Sequence, residues 1–176
     1  WQLADLQSRH QAHVQGGLGR CLALFQLLEM EHVVVLVAGH VTTAGFLDDA
    51  GPPRIPETII EESPARAASN LIMAILGHAE FILQLLTTEQ RDEAVSPRMV
   101  ESLLWFLDRW CAAYVLWDPP GDGMAGRWGM ALRPFHHSTE NSRQLVDFCA
   151  RFAAVSMLAW RCETAICAGA CKVLRQ

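Results

Sequence analysis

Charge is scarce in this 176-residue chain, and basic charge scarcest: 14 Lys and Arg stand against 19 Asp and Glu, a formal charge of −5. A nucleic-acid binder shows a basic balance or a basic stripe, so that class is excluded. Charged residues make up 19% of the chain against a usual ~25%, while the AVILMFWYC fraction is 51%. So apolar a chain can bury a core, which excludes disorder. Six cysteines are too few for a disulfide-dense mini-domain. None forms a C-x-x-C pair, and they are scattered among Ala and Leu. They read as reduced, buried thiols of a cytosolic or nuclear protein. No basic stretch leads into an apolar one near the start, so no signal peptide is seen. The longest uncharged run, 33–47, falls short of the ~18–20 residues of a membrane span, and no membrane partner is expected.

What the chain does have is helical periodicity almost throughout. The β-branched run Val33-Val34-Val35 lies inside a longer apolar segment and reads as buried helix. A first helix spans about 1–15, with Leu3, Leu6, His10 and His13 on one stripe. Gly16-Gly17 ends it. A second spans about 18–41, with Leu24, Leu27, Leu28 and then Val34 to Val37 as its apolar patch. An irregular connection, 46–62, follows around Gly51-Pro52-Pro53 and Pro56. Ser63-Pro64 and Ser96-Pro97 signal the starts of a third and a fourth helix: a capping residue, then a proline whose missing N–H costs nothing there. The third helix is faced by Leu71, Ile72, Ile75, Leu76, Ala79 and Leu83. The fourth is faced by Val100, Leu103, Leu104, Leu107, Trp110 and Tyr114. A long Gly- and Pro-rich break covers 118–137. Ser138 or Thr139 then caps a fifth helix, faced by Leu145, Phe148, Cys149, Phe152, Val155 and Leu158 and closed by Trp160. A short sixth spans about 162–174.

Six such helices suit a closed bundle or a stack of antiparallel helix pairs of the HEAT or armadillo type. Apolar residues at many offsets in helices two and five suit a layer held between neighbours, which favours the stack. Trp1 already stands in helical pattern. We therefore expect 1–176 to be a single segment of about three helix pairs cut from a larger α-solenoid, with long loops near 46–62 and 118–137.

Constellations that could carry chemistry are weak. His10-x-x-His13 offers two potential metal ligands without a third, and reads as histidines on a flanking face. Cys162, Cys167 and Cys171 lack the turn spacing of a zinc site. His136-His137 reads as a solvated loop pair. Gly16-Gly17-Leu18-Gly19 and Gly121-Asp122-Gly123 follow no strand and carry no phosphate-loop lysine. Glu57, Glu61 and Glu62 sit in an irregular, exposed stretch rather than as an acid–base pair. No catalytic residue, metal or cofactor is assigned, and no enzyme is expected. Trp105 and Arg109, four apart on one helix, can stack. Internal helix support is the simpler reading, and a partner-facing aromatic–Arg pair the sharper one.

The residues around the fourth helix resemble a known family. Ser96-Pro97-Arg98-Met99, followed by Trp105-Phe106-Leu107-Asp108-Arg109-Trp110 and Tyr114-Val115-Leu116, is similar to the S-P-x-M…W-F-L-x-R-W…Y-L-L segment of exportin-4-like nuclear export receptors of the karyopherin-β family. The stretch Glu31 to His40 resembles that family's buried helix, Ile55-Pro56-Glu57-Thr58-Ile59 its I-P-P-E-I, and Ser156 to Trp160 the end of its next helix. The resemblance covers roughly 30–174 and is strongest at 96–116. The exportin-7 group is the nearest rival, through Trp160-Arg161-Cys162-Glu163. The resemblance implies HEAT repeats and the family-motif residues Trp105, Phe106, Leu107, Arg109, Trp110 and Tyr114 in a packing role. It also implies GTP-bound Ran, protein cargo and nuclear pore proteins as partners of the full-length chain, which shuttles between nucleus and cytoplasm. Family cargoes are the hypusine-bearing translation factor 5A and Smad-type proteins. The alternative is a HEAT or armadillo scaffold outside nuclear transport.

Overall fold

A computed structural model describes residues 2–17, 21–43, 55–59, 62–116, 132–136 and 139–176. All regular structure is helical, with no strand among the described residues. The elements are α1 (Gln2–Gln15), α2 (Leu22–Thr42), α3 (Glu62–Leu86), α4 (Arg91–Ala94), α5 (Pro97–Trp110), α6 (Glu140–Ala159) and α7 (Thr164–Arg175). A π-helical turn, Cys111–Val115, extends α5, and Glu57–Ile59 and Arg133–Phe135 form 3-10 turns.

Local chemistry explains most helix ends. Pro97 opens α5 behind an extended Ser96, but the Ser96 side chain makes no capping bond, so the proline alone carries out the expected start. Thr139 caps α6: its hydroxyl accepts the Ser142 N–H at 3.2 Å. Ser138 lies outside the described residues. At the other boundary, α3 begins at Glu62, so Ser63 and Pro64 stand inside its first turn rather than ahead of it. Thr42 and Thr43 close α2 by donating their hydroxyls back to Ala38 O and Gly39 O, each at 2.7 Å. The four-residue α4 went unpredicted, because one turn is too short to show a period.

Helix contacts run along two rows. In one, α1 packs on α3 and α3 on α6; in the other, α2 packs on α5 and α5 on α7. Across the rows, α1 packs on α2 and α6 on α7. In three of these contacts, α2 on α5, α3 on α6 and α5 on α7, the helices point the same way. Along α2 and α5, Glu29 meets Arg98, His32 meets Ser102 and, just past α2, Thr43 meets Arg109. Along α3 and α6, Ser69 and Met73 border a hollow with Asn141 and Leu145, and Glu80 pairs with Arg151. Along α5 and α7, Leu104 lies against Gly169 and Asp108 accepts from Gln176. By contrast α1 and α2 run oppositely, since Cys21 lies at His13 while Glu31 lies at His10.

The core lies between the rows. Phe106, Trp110, Tyr114, Phe135 and Phe152 are its largest fully buried side chains. The expected apolar faces of α3 and α5 are buried there, apart from the half-buried Leu71. Phe135 belongs to the described part of the 118–137 break, so that connection contributes to the core. Two expectations need correcting. Leu158 is 79% exposed, although the periodicity of α6 placed it on the buried face. On α2, Leu22, Phe25, Met30, Val33, Val37 and Val41 are all more than half exposed, opposite a buried face of Leu24, Leu27, Leu28, Glu31, Val35 and Ala38. The helical segments Leu22–Thr42 and Pro64–Leu86 are long and apolar enough to cross a membrane by length and composition. Counting only uncharged runs missed them, because a helix of that length can carry one or two ionic groups and still pass. In the fold, their inner faces pack against other helices.

Candidate functional site

Two places bring polar and aromatic side chains together. The first is a groove of about 390 Å³ between α2 and α5, bordered by His32, Leu36, His40, Arg98, Glu101, Ser102 and Trp105. Parallel packing of the two helices puts it there, and one glycine permits the approach. A Cβ on Gly39 would lie 2.9 Å from Cη2 of the Trp105 ring, nearer still to its Cζ3, and 3.4 Å from Phe106. Trp105 is thus laid against the α2 backbone, half-buried, with the His40 ring 5.0 Å away and the Arg109 guanidinium 5.4 Å from its centre. Arg109 Nε donates to Thr43 Oγ1 at 3.1 Å. Partial burial lowers the Arg109 pKa from its usual value, and Asp108 opposes that shift. Arg109 stays charged across the working range, as guanidinium does.

At the groove's other end, Ser102 donates to Arg98 O at 2.8 Å. Its oxygen is then left to accept the Nδ1–H of His32. Arg98 pairs with Glu29 at 3.2 Å, both well exposed, so the pair contributes little to stability. The groove carries mixed charge.

The expected family-motif residues divide between this rim and the core. Trp105 and Arg109 line the rim, whereas Phe106, Leu107, Trp110 and Tyr114 are fully buried. Trp110 packs edge-on against Phe135 at 5.6 Å and stacks near Tyr114. Tyr114 donates its hydroxyl to Thr42 O at 2.6 Å, which ties the π turn to the end of α2. Burial pushes the Tyr114 phenol far above its usual range, so it stays a donor.

The second place is a buried polar cluster that the sequence reading missed. His10 of α1, Glu31 of α2 and His78 of α3 are all fully buried. His10 Nε2 lies 2.8 Å from Ala94 O, and a carbonyl only accepts, so this nitrogen carries hydrogen. His10 Nδ1 lies 3.1 Å from Glu31 Oε2, so one proton is shared across that contact. His78 Nε2 lies 3.8 Å from the same oxygen, too far for a hydrogen bond. Neither His78 nitrogen has a hydrogen-bond partner. Burial lowers the His78 pKa from its usual value, Glu31 raises it less, and His10 adds to the lowering. His10 was expected on a flanking face and instead anchors three helices. A signal was available: Glu31 stands at the register of Leu24, Leu27, Leu28 and Val35, and His78 at that of Leu71, Ile75 and Ile82. An ionisable residue on an apolar stripe marks a buried contact.

His13 is half-exposed, with the Cys21 sulfur 3.8 Å from its Nε2. His136 is half-buried, and its neighbour His137 lies outside the described residues. The expectation of buried thiols holds for Cys111 and Cys149 alone. Cys21, Cys162 and Cys171 are exposed, because each stands on the outer side of its helix or turn, while the half-buried Cys167 thiol faces Arg161 O at 3.7 Å. Among the described residues no three His, Cys, Asp or Glu side chains are arranged to hold a metal ion. Leu18 and Gly19 of the first glycine-bearing loop, the whole of Gly121-Asp122-Gly123, and Glu61 lie outside the described residues. No protein-family model matches the chain, and no curated protein matches it.

Proposed function

We propose that the chain is a run of about three HEAT-like helix pairs within an α-solenoid that binds other proteins, with α1/α2 and α6/α7 as the outer pairs and α3 and α5 between them. The observation that carries this reading is the direction of packing. In a helix-pair stack, each helix contacts its own partner and the equivalent helix of the next pair, which runs the same way. The contacts of α2 with α5, α3 with α6 and α5 with α7 have that second property. The exposed apolar stripe on α2 supports it too, since a further helix of the same row would cover that face.

The resemblance at 96–116 narrows the proposal to an exportin-4-like nuclear export receptor that carries protein cargo through nuclear pores with GTP-bound Ran. Binding energy would come from long concave faces, and ligands would select one curvature of the superhelix. The rim of Trp105, Arg109 and His40 is the kind of surface on which binding energy concentrates. The test is capture of the intact cellular protein by Ran locked with GTP and, separately, with GDP. Retention by the GTP form alone supports the export reading. Equal or absent retention rejects it and leaves the scaffold reading.

A further inference from the structure

We propose that Cys111 and Cys149 form a hydroperoxide-sensitive dithiol that closes to a disulfide and ties the end of α5 to α6. The two residues are 38 positions apart, yet their sulfurs lie 3.6 Å from each other in the core. Cys111 begins the π-helical turn and Cys149 stands within α6. A disulfide needs ~2.05 Å, so the sulfurs must approach by about 1.5 Å. The π turn is where the chain can yield, because its wider i→i+5 bonding already departs from the α-helix.

The hydrogen bond sets the roles. Cys111 donates its S–H to Cys149 Sγ. The bond to Cys149 and burial hold the Cys111 thiol well above its usual value, so Cys111 keeps its proton and serves as the second, resolving thiol. The Cys149 sulfur, giving up its proton as it attacks, takes one oxygen from the peroxide; the O–O bond breaks, and the leaving oxygen departs with that proton as water or alcohol. Cys111 sulfur then attacks the sulfenic sulfur. The S–O bond breaks, and that oxygen leaves as water with the Cys111 proton. Two thiols are oxidised, one peroxide is reduced, and no other reductant or oxidant is required. Burial restricts entry to small oxidants, so this pair reacts more slowly than exposed thiols such as Cys162. The product joins the two helix rows and stiffens the stack.

The chain carrying Cys21→Ser, Cys162→Ser, Cys167→Ser and Cys171→Ser retains only the pair. After hydrogen peroxide under native conditions, alkylation and digestion without reductant, a Cys111–Cys149 linked peptide is expected, and a thiol reductant should dissolve it. The melting midpoint should rise by roughly 5–10 °C, as for closure of a loop of this length. Adding Cys149→Ala should abolish both effects. Recovery of the two cysteines unlinked, as thiols or as sulfinic acids, overturns the proposal. So does a link that forms only in denaturant, because the fold then does not align the sulfurs. If the multiple variant fails to fold, the same peptide mapping on the unsubstituted chain decides between these outcomes.

Discussion

The indole of Trp105 rests on Gly39 so closely that a methyl group there would sit 2.9 Å from ring atom Cη2 and nearer still to Cζ3. The contact lets α2 and α5 approach side by side and roofs the inner end of the groove. Helix propensity alone favours Gly39→Ala by ~1 kcal/mol. The clash should outweigh that gain, leaving a net loss of about 1–2 kcal/mol in urea unfolding. With Trp105→Ala present, the same Gly39→Ala change should become stabilising. A loss of equal size in both backgrounds would show that the ring is not the obstacle.

Glu31 holds His10 from inside the fold, and removing one partner of a buried pair costs more than the pair contributes. Glu31→Ala should lower stability by about 3–5 kcal/mol, with some loss of cooperativity as α1 loosens from α2 and α3. Glu31→Gln keeps a polar group whose amide N–H can donate to His10 Nδ1, and it should cost clearly less. Equal effects of the two changes, measured by chemical denaturation, would mean that shape rather than the hydrogen bond matters.

His78 gives the fold an acid-side weakness. Burial holds its folded pKa below the usual histidine value of 6.5. The unfolded chain therefore takes up a proton near pH 6.5 while the folded chain resists it. The stability contribution is complete above that pH and declines as pH falls through and below it. Unfolding free energies at about pH 7.5 and about pH 5.5 should differ more for the unsubstituted chain than for His78→Leu. An identical pH dependence in both would remove His78 as the cause.

The outer faces of α2 and α6 should govern solubility. Val37 is 55% exposed and Leu158 is 79% exposed. Val37→Glu with Leu158→Glu should reduce self-association in light scattering while changing unfolding free energy by no more than ~0.5 kcal/mol for each site. A stability loss well beyond that would place these side chains in a packed interface of the isolated chain.

Much of the fold was legible in one dimension. The α5 stripe of Val100, Leu103, Leu104, Leu107, Trp110 and Tyr114 recurs at helical spacing, and each of these residues is buried. Pro97 and Thr139 start helices by backbone chemistry confined to a few neighbours. The candidate site was far less legible. Trp105 and Arg109 could be paired from their spacing, but not their seat over Gly39, which comes from another helix.

The sequence by itself determined the helical class, most helix boundaries, the low charge and the inward stripes, because these follow from composition and from interactions within a few residues. Only the tertiary structure decided which side of an apolar helix is covered. Periodicity marks Phe25, Val33, Val37 and Leu158 as apolar without saying whether a neighbour lies against them. It also decided that His10, Glu31 and His78 meet, and that Cys111 reaches Cys149. Those meetings depend on how three or more helices are placed relative to one another, and that placement is set by the packing of the whole core rather than by any local pattern.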